Sequence, residues 1–310
     1  MTPFSLFAPA KVNLALHVLG RRADGYHDLD SIVAFADVGD WLTFSGAGRF
    51  SVTADGPFAA SLPASDDNII ATAFAAVADI AGTRGRTLPP VAVHLTKNLP
   101  VASGIGGGSS DAATAIKGFL RIAGLDGLDD DIMAAALKLG ADVPVCLLGR
   151  PCRMRGIGER IAPLSDFAPR RAILVNPMVE VSTPAVFGKL GLAKGQSHGA
   201  PIRDVSDPQH WRNDLAAPAI ALVPAIGEVI ARLSQLPGVT RAFMSGSGAT
   251  CVALHDGEIR NLSLDPRWWT ATATRWMHSS RFARHLPRLQ IPRPMRKSRT
   301  TSMWTISSTT

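Results

Sequence analysis

The sequence predicts an α+β protein of two domains, and three observations carry that prediction. The chain has 310 residues, enough for two cores when domains commonly run to about 100–150 residues. Apolar residues recur with period two in some segments and at helical spacing in others, with Gly, Pro, Asn and Asp between them. One glycine-rich loop, Pro100-Val-Ala-Ser-Gly-Ile-Gly-Gly-Gly-Ser-Ser110, joins such a strand to such a helix.

The elements follow in order. Lys11, Asn13, Ala15 and His17 alternate with Val12, Leu14, Leu16 and Val18, so the opening strand has one face polar enough to line a site. Residues Gly20 to Gly25 form a turn, and Tyr26 and His27 sit at its lip before an extended segment through Val33. Asp66, Asp67 and Asn68 are placed to cap an Ala-rich helix from about Ile69 to Ala81. Val91, Val93 and Leu95 alternate with polar or small neighbours as a half-buried strand, which Lys97-Asn-Leu-Pro100 breaks. Beyond the glycine loop, Ala112, Ala115, Ile116, Phe119 and Ala123 keep helical spacing until Gly124. Asp129 to Asp131 begin a further helix through Leu139, with Gly140 as its stop and Asp142-Val-Pro144 immediately after. Ile173 to Pro177 reads as a buried strand of the second domain, so the boundary is expected near residue 155, dividing 1–155 from 156–276. Alternating strands and helices through Val223 to Leu236, then strands at Arg241–Phe243 and Cys251–Leu254 and an edge strand from Trp269 to Trp276, complete that domain.

Composition limits the function class. Hydrophobic residues make up 46% and charged residues 18% of the chain, and no apolar run approaches the ~18 residues of a membrane span. The N-terminus lacks a charged n-region, so no signal peptide is read there and a cytoplasmic protein is expected. Cys146, Cys152 and Cys251 lack metal-ligand spacing and read as buried thiols. The formal net charge is +7, but it is concentrated: residues 257–310 hold ten Lys or Arg against Glu258 and Asp265, leaving a nearly neutral body. The same segment holds four of the six Trp. A nucleic-acid-binding protein using this basic tail is therefore the alternative from another class. With no apolar periodicity beyond Trp276, however, residues 277–310 are expected to be disordered or loosely attached, and no nucleic-acid partner is expected.

The glycine loop carries the chemistry. Glycines let a backbone approach a ligand without Cβ clashes, and uncapped amides with the helix dipole favour an anion. No Lys follows Gly108, which excludes a P-loop, and Ser109 breaks the dinucleotide fingerprint. The residues alone leave two readings open, an ordinary capped loop or a phosphate cradle.

Pro100-x-x-x-Gly104-x-Gly106-Gly-Gly-Ser-Ser resembles the second motif of the GHMP kinases, Ala8-Pro-Ala-Lys-Val-Asn-Leu14 their N-terminal motif, and Met244-Ser-Gly-Ser-Gly-Ala-Thr-Cys251 their C-terminal glycine motif. Within that superfamily, Asp24-Gly-Tyr-His27, Gly140-Ala-Asp-Val-Pro144 and Gly156-Ile-Gly-Glu159 are similar to the branch that phosphorylates a cytidine diphosphate-linked methylerythritol in the non-mevalonate route to isoprenoid precursors. The resemblance runs from about Pro9 to His255. It implies a first domain like the second domain of ribosomal protein S5 and a ferredoxin-like second domain, with the cleft between them. It also implies ATP and Mg2+, and phosphorylation of the substrate's 2-hydroxyl. The chain departs from the family between Leu254 and Trp268-Trp269, where a longer helix is usual. Another small-alcohol kinase of the superfamily is the alternative within the class.

The resemblance also implies roles. Asp142, by itself equally suited to capping the turn at Pro144, would be the catalytic base, with Lys11 neutralising the reacting oxygens. Pro100, Val101, Ala102, Ser103, Gly104, Ile105, Gly106, Gly107, Gly108, Ser109 and Ser110 would hold the ATP phosphates, with Asn68 and Lys97 close to the adenine. Asn13 would hydrogen-bond the substrate. Tyr26 and Phe187 would stack on the two faces of the cytosine and His27 would read its edge, although an aromatic at a strand edge also serves plain packing. Gly246 and Gly248 would admit the substrate diphosphate or methylerythritol, with a plain turn as the other reading. The metal ligands are not readable beyond Ser110 as a candidate, nor is the oligomeric state.

Overall fold

The computed structural model describes residues 1–310 except 63–67, 166, 169, 258, 260, 261, 275, 277–301 and 305–310. Two sheets form its centre. The first contains β1 (Phe4–Arg21), β2 (His27–Gly46), β3 (Ser51–Asp55), β4 (Val91–Thr96), β5 (Cys152–Gly156), β6 (Arg160–Pro163) and β11 (Ser302–Trp304), in the order β11-β3-β4-β2-β5-β6 with β1 paired to β2. Only β3 and β4 pair in parallel. The second contains β7 (Arg171–Asn176), β8 (Val239–Met244), β9 (Cys251–His255) and β10 (Trp269–Ala273), all antiparallel in the order β10-β7-β9-β8.

Period-two patterning sorts the strand residues into layers. Val33 and Phe35 face a core closed by α1 (Ile69–Thr83), α2 (Gly107–Ala123), α3 (Asp130–Leu139) and α4 (Val143–Leu148). Ile32, Ala34 and Ala36, with Ala10, Val12 and Leu14 of β1, face the other way and pack against Ala172, Leu174, Val252 and Leu254 of the second sheet. The alternate residues Ile173, Val175, Cys251 and Ala253 face a third core with α5 (Thr183–Lys189), α6 (Ala216–Leu222) and α7 (Ala225–Ser234). The result is helices, sheet, sheet, helices. Because β1 lies between layers, its polar face is buried as well: Lys11 is 4%, Asn13 2% and His17 1% exposed.

The expected helices and strands are present, and Asn68 caps α1 by accepting from the Ile70 amide. Two expectations need correction. The boundary near residue 155 is too early, because β5 and β6 extend the first sheet through Pro163, β5 pairing with β2. Residues 302–304, expected in a loose tail, pair antiparallel with β3; the rest of 277–310 lies outside the described residues. Among the described residues no helix is long and apolar enough to cross a membrane.

Candidate active site

Where β4 ends, the chain is turned into α2 by a loop with Ala102, Gly104 and Gly106 at positive φ. Gly106 is the N-cap of α2 and supplies no side-chain cap, and the first turn holds no acidic residue. The leading amides of α2 are thus left for an outside acceptor, and the helix dipole favours an anion there. Gly108 is exposed, with open space where a Cβ would point. The loop does not act as one piece. Ile105 is fully buried and its carbonyl accepts from the Lys11 amide, while the Ser103 hydroxyl donates to the Pro100 carbonyl. These residues shape the cradle, and Gly106 to Ser109 present it.

Lys11 reaches this cradle from β1. A Cβ on Gly106 would lie 3.0 Å from the Lys11 Cβ, and the Lys11 ammonium donates to Asp142 Oδ2 at 2.6 Å. Asp142 is the N-cap residue of α4, yet its side chain makes no capping hydrogen bond. Its carboxylate instead turns to Lys11, with the side chain 36% exposed toward the cleft. Of the two readings of Asp142, side-chain capping is thus not realised.

Asn13, next along the same face, donates from Nδ2 to the Ser31 hydroxyl, but its Oδ1 is buried without a partner. That oxygen lies 3.4 Å from the position of a Cβ on Gly246, so the second-domain glycine motif closes over it. Ser245 ties the assembly together: its hydroxyl accepts from the Asn13 amide and donates to the Gly104 carbonyl. At Gly248 a Cβ would point toward Met244 and Ile226 and meet the sulfur at 2.9 Å.

The lip lies further along β1 and β2. Tyr26 is 62% exposed, and the His27 and Phe187 rings stand 4.7 Å apart at 31°. Phe187 comes from α5, whose cap Ser182 accepts from the Ala185 amide. Burial, and then the Arg21 charge, push the His27 pKa down, which favours a neutral ring able both to donate and to accept.

The Lys97 side chain is turned into the protein. It is 1% exposed, and its ammonium lies between Asp40 and Asp111, 2.6 Å from each. The sequence offered no local sign of this pairing, because Asp40 is on β2 and Asp111 on α2. Asn213 was equally silent: its Nδ2 donates to the Met244 and Gly246 carbonyls and fixes the glycine motif. Burial raises the Asp111 carboxyl to about 7, against the pull of Lys97 and with Asp40 adding repulsion. The folded chain therefore holds this proton through a pH range where the unfolded chain has released it. Stability from this group falls as pH rises from about 4 to 7. Asp111→Asn is expected to flatten that slope in melting temperatures followed across this range; an unchanged slope would show that another group sets it.

Among the described residues no three His, Cys, Asp or Glu side chains converge to hold a metal. The GHMP kinases N terminal domain pattern matches residues 68–150, and the GHMP kinases C terminal pattern matches 204–262. A 4-diphosphocytidyl-2-C-methyl-D-erythritol kinase of Paramagnetospirillum magneticum is 44% identical over 287 residues, covering 88% of this chain and 99% of its own. One of the same name from Agrobacterium fabrum is 44% identical over 256 residues, covering 80% and 85%. A crystal structure of 4-(cytidine 5'-diphospho)-2C-methyl-D-erythritol kinase superposes with a TM-score of 0.70 at 30% identity, over 87% of this chain and 99% of that one. A homoserine kinase from Cytophaga hutchinsonii shares the fold, with a TM-score of 0.61 at 17% identity over 89% and 96% of the two chains.

Proposed function

This chain belongs to the 4-diphosphocytidyl-2-C-methyl-D-erythritol kinases, a branch of the GHMP kinases, and we propose that its cleft transfers the γ-phosphoryl group of ATP to the 2-hydroxyl of that substrate. The observation that carries the mechanism is the Lys11–Asp142 pair, 2.6 Å across and set against the phosphate cradle. Asp142 accepts the hydroxyl proton as the oxygen bonds to phosphorus and ADP departs. Lys11 fixes the carboxylate and places a positive charge beside the transferring oxygens. The amides of Gly107, Gly108 and Ser109 hold the nucleotide phosphates, and the partnerless Asn13 Oδ1 accepts from a substrate hydroxyl. Asn68, at the mouth of α1, borders the adenine.

Bound Mg2+ would supply charge neutralisation on the phosphates. The described residues offer it no carboxylate cage, so they fit a cation carried by ATP with at most one hydroxyl ligand from the chain, Ser110. The reaction belongs to isoprenoid precursor synthesis, and the direct test is ATP consumption with this substrate beside homoserine, mevalonate and galactose. Turnover of one of those three with none of the cytidine compound would overturn the assignment.

Tyr26, His27 and Phe187 are assigned to the cytosine. Tyr26→Ala and Phe187→Ala are each expected to raise KM for the cytidine substrate by about 5- to 150-fold, the size of ~1–3 kcal/mol of base stacking. The Kd for ATP should stay within a few-fold. Parental KM in both variants would place the base elsewhere.

A further inference from the structure

We propose that Asp40, Lys97 and Asp111 form a buried staple that positions the ATP phosphate cradle, so that this kinase sets its nucleotide affinity from beneath the loop as well as at its surface. The inference rests on the nucleotide assignment above and concerns residues that need not touch the nucleotide.

Each contact of the staple falls on a stem of the loop. Asp40 Oδ1 accepts from the amides of Asn98 and Leu99, at 2.6 and 2.9 Å, the two residues that lead into Pro100. Asp40 Oδ2 accepts from the Lys97 ammonium, which also donates to Asp111 Oδ2, one turn into α2. The strand that enters the loop and the helix that leaves it are thereby fixed to one anchor on β2. The ammonium lies directly under the cradle, 3.1 Å from where a Cβ on Gly107 would be. A shift at Lys97 would therefore displace the helix start whose amides meet the phosphates.

Stability alone does not account for three buried charges. The side chains of Asp40, Lys97 and Asp111 are 0%, 2% and 4% exposed, and buried ion pairs are often no more stable than apolar residues of the same volume. Here two carboxylates share one ammonium, and Asp111 Oδ1 is buried without a partner, so above about pH 7, where Asp111 ionises, the cluster carries an uncompensated charge as well. What such polar clusters supply is a fixed geometry, and this one fixes the two ends of a loop rich in glycine.

The test separates positioning from folding. Asp111→Leu removes the uncompensated charge and leaves Lys97 paired with Asp40, so the melting temperature at pH 7.5 should hold or rise. The Kd for MgATP, measured by calorimetry without acceptor, should rise at least tenfold, while KM for the cytidine substrate stays within twofold. Asp111→Asn keeps an oxygen for the ammonium and should recover most of the lost affinity. Asp40→Asn, measured in parallel, keeps only one of the two oxygens that tie Lys97 to the Asn98 and Leu99 amides and should weaken MgATP by a similar factor, which keeps the test open if Asp111→Leu does not fold. Folded variants that bind MgATP as the parent does, or that lose both substrates equally, would overturn the staple. A parent that binds no MgATP would instead overturn the nucleotide assignment.

Discussion

Replacing Asp142 with Asn is expected to lower kcat by ~10²- to 10⁴-fold, the usual cost of losing a general base, while the melting temperature and the Kd for ATP stay near parental values. The structure separates these effects. Asp142 makes no capping hydrogen bond to α4, so Asn at this position removes no helix support. The side chain is also partly exposed, and Asn keeps an oxygen to accept from the buried Lys11 ammonium, so little stability should be lost with the charge. What would be lost is the proposed proton acceptor. Lys11→Met should also act mainly on kcat, because the ammonium pairs with that carboxylate and is proposed to meet the reacting oxygens rather than the nucleoside. Steady-state kinetics with both substrates varied separates the outcomes. Near-parental turnover in Asp142→Asn would remove this residue from the chemistry, and an effect of Lys11→Met confined to KM would make Lys11 a binding group alone.

Much of this site can be read from local sequence, and the limits have a physical form. The strand, glycine loop and helix were legible because they are contiguous in sequence, while the choice of a phosphate cradle over a plain loop came from the resemblance. The face of β1 carrying Lys11 and Asn13 was legible from its alternation, but its burial was not. That depends on a second sheet whose strands lie some 160 residues or more further on, packing against Val12 and Leu14. The domain boundary was misplaced for the same reason. Arg160–Pro163 was assigned to the second domain, yet it pairs with Cys152–Gly156, which in turn joins β2, a strand that ended at Gly46. Lys97 shows the limit most clearly: family resemblance gave it a place near the adenine, and only the fold brings Asp40 and Asp111 to its ammonium. Asn213 lies in a stretch with no motif of its own, and its hold on the glycine motif belongs wholly to tertiary structure.

The contact between the two glycine motifs supplies the other large expected effect. Gly104 has φ +74°, and a Cβ there would lie 2.4 Å from the Gly248 carbonyl oxygen and 2.8 Å from that of Ser245. Both are backbone atoms, which no rotamer change can move aside. Two hydrogen bonds hold the loops at this distance, the Thr250 amide to the Ser103 carbonyl and the Ser245 hydroxyl to the Gly104 carbonyl. Gly104→Ala must therefore push the second-domain motif off the phosphate loop while holding Ala at positive φ. A strained backbone conformation and overpacking each cost of order 1–3 kcal/mol, so the variant should lose ~2–6 kcal/mol. Because the displaced loops are those that face ATP and Asn13, the Kd for ATP and the KM for the cytidine substrate should both rise. Gly127→Ala is the matched control: Gly127 has φ +86° with nothing within 4 Å of a Cβ, so it carries the backbone cost without the clash. It should lose only about 1 kcal/mol and leave both substrates unaffected. Equal destabilisation of the two variants in urea unfolding, with parental kinetics for Gly104→Ala, would mean that the two motifs part without consequence and that the cradle needs no support from the second domain.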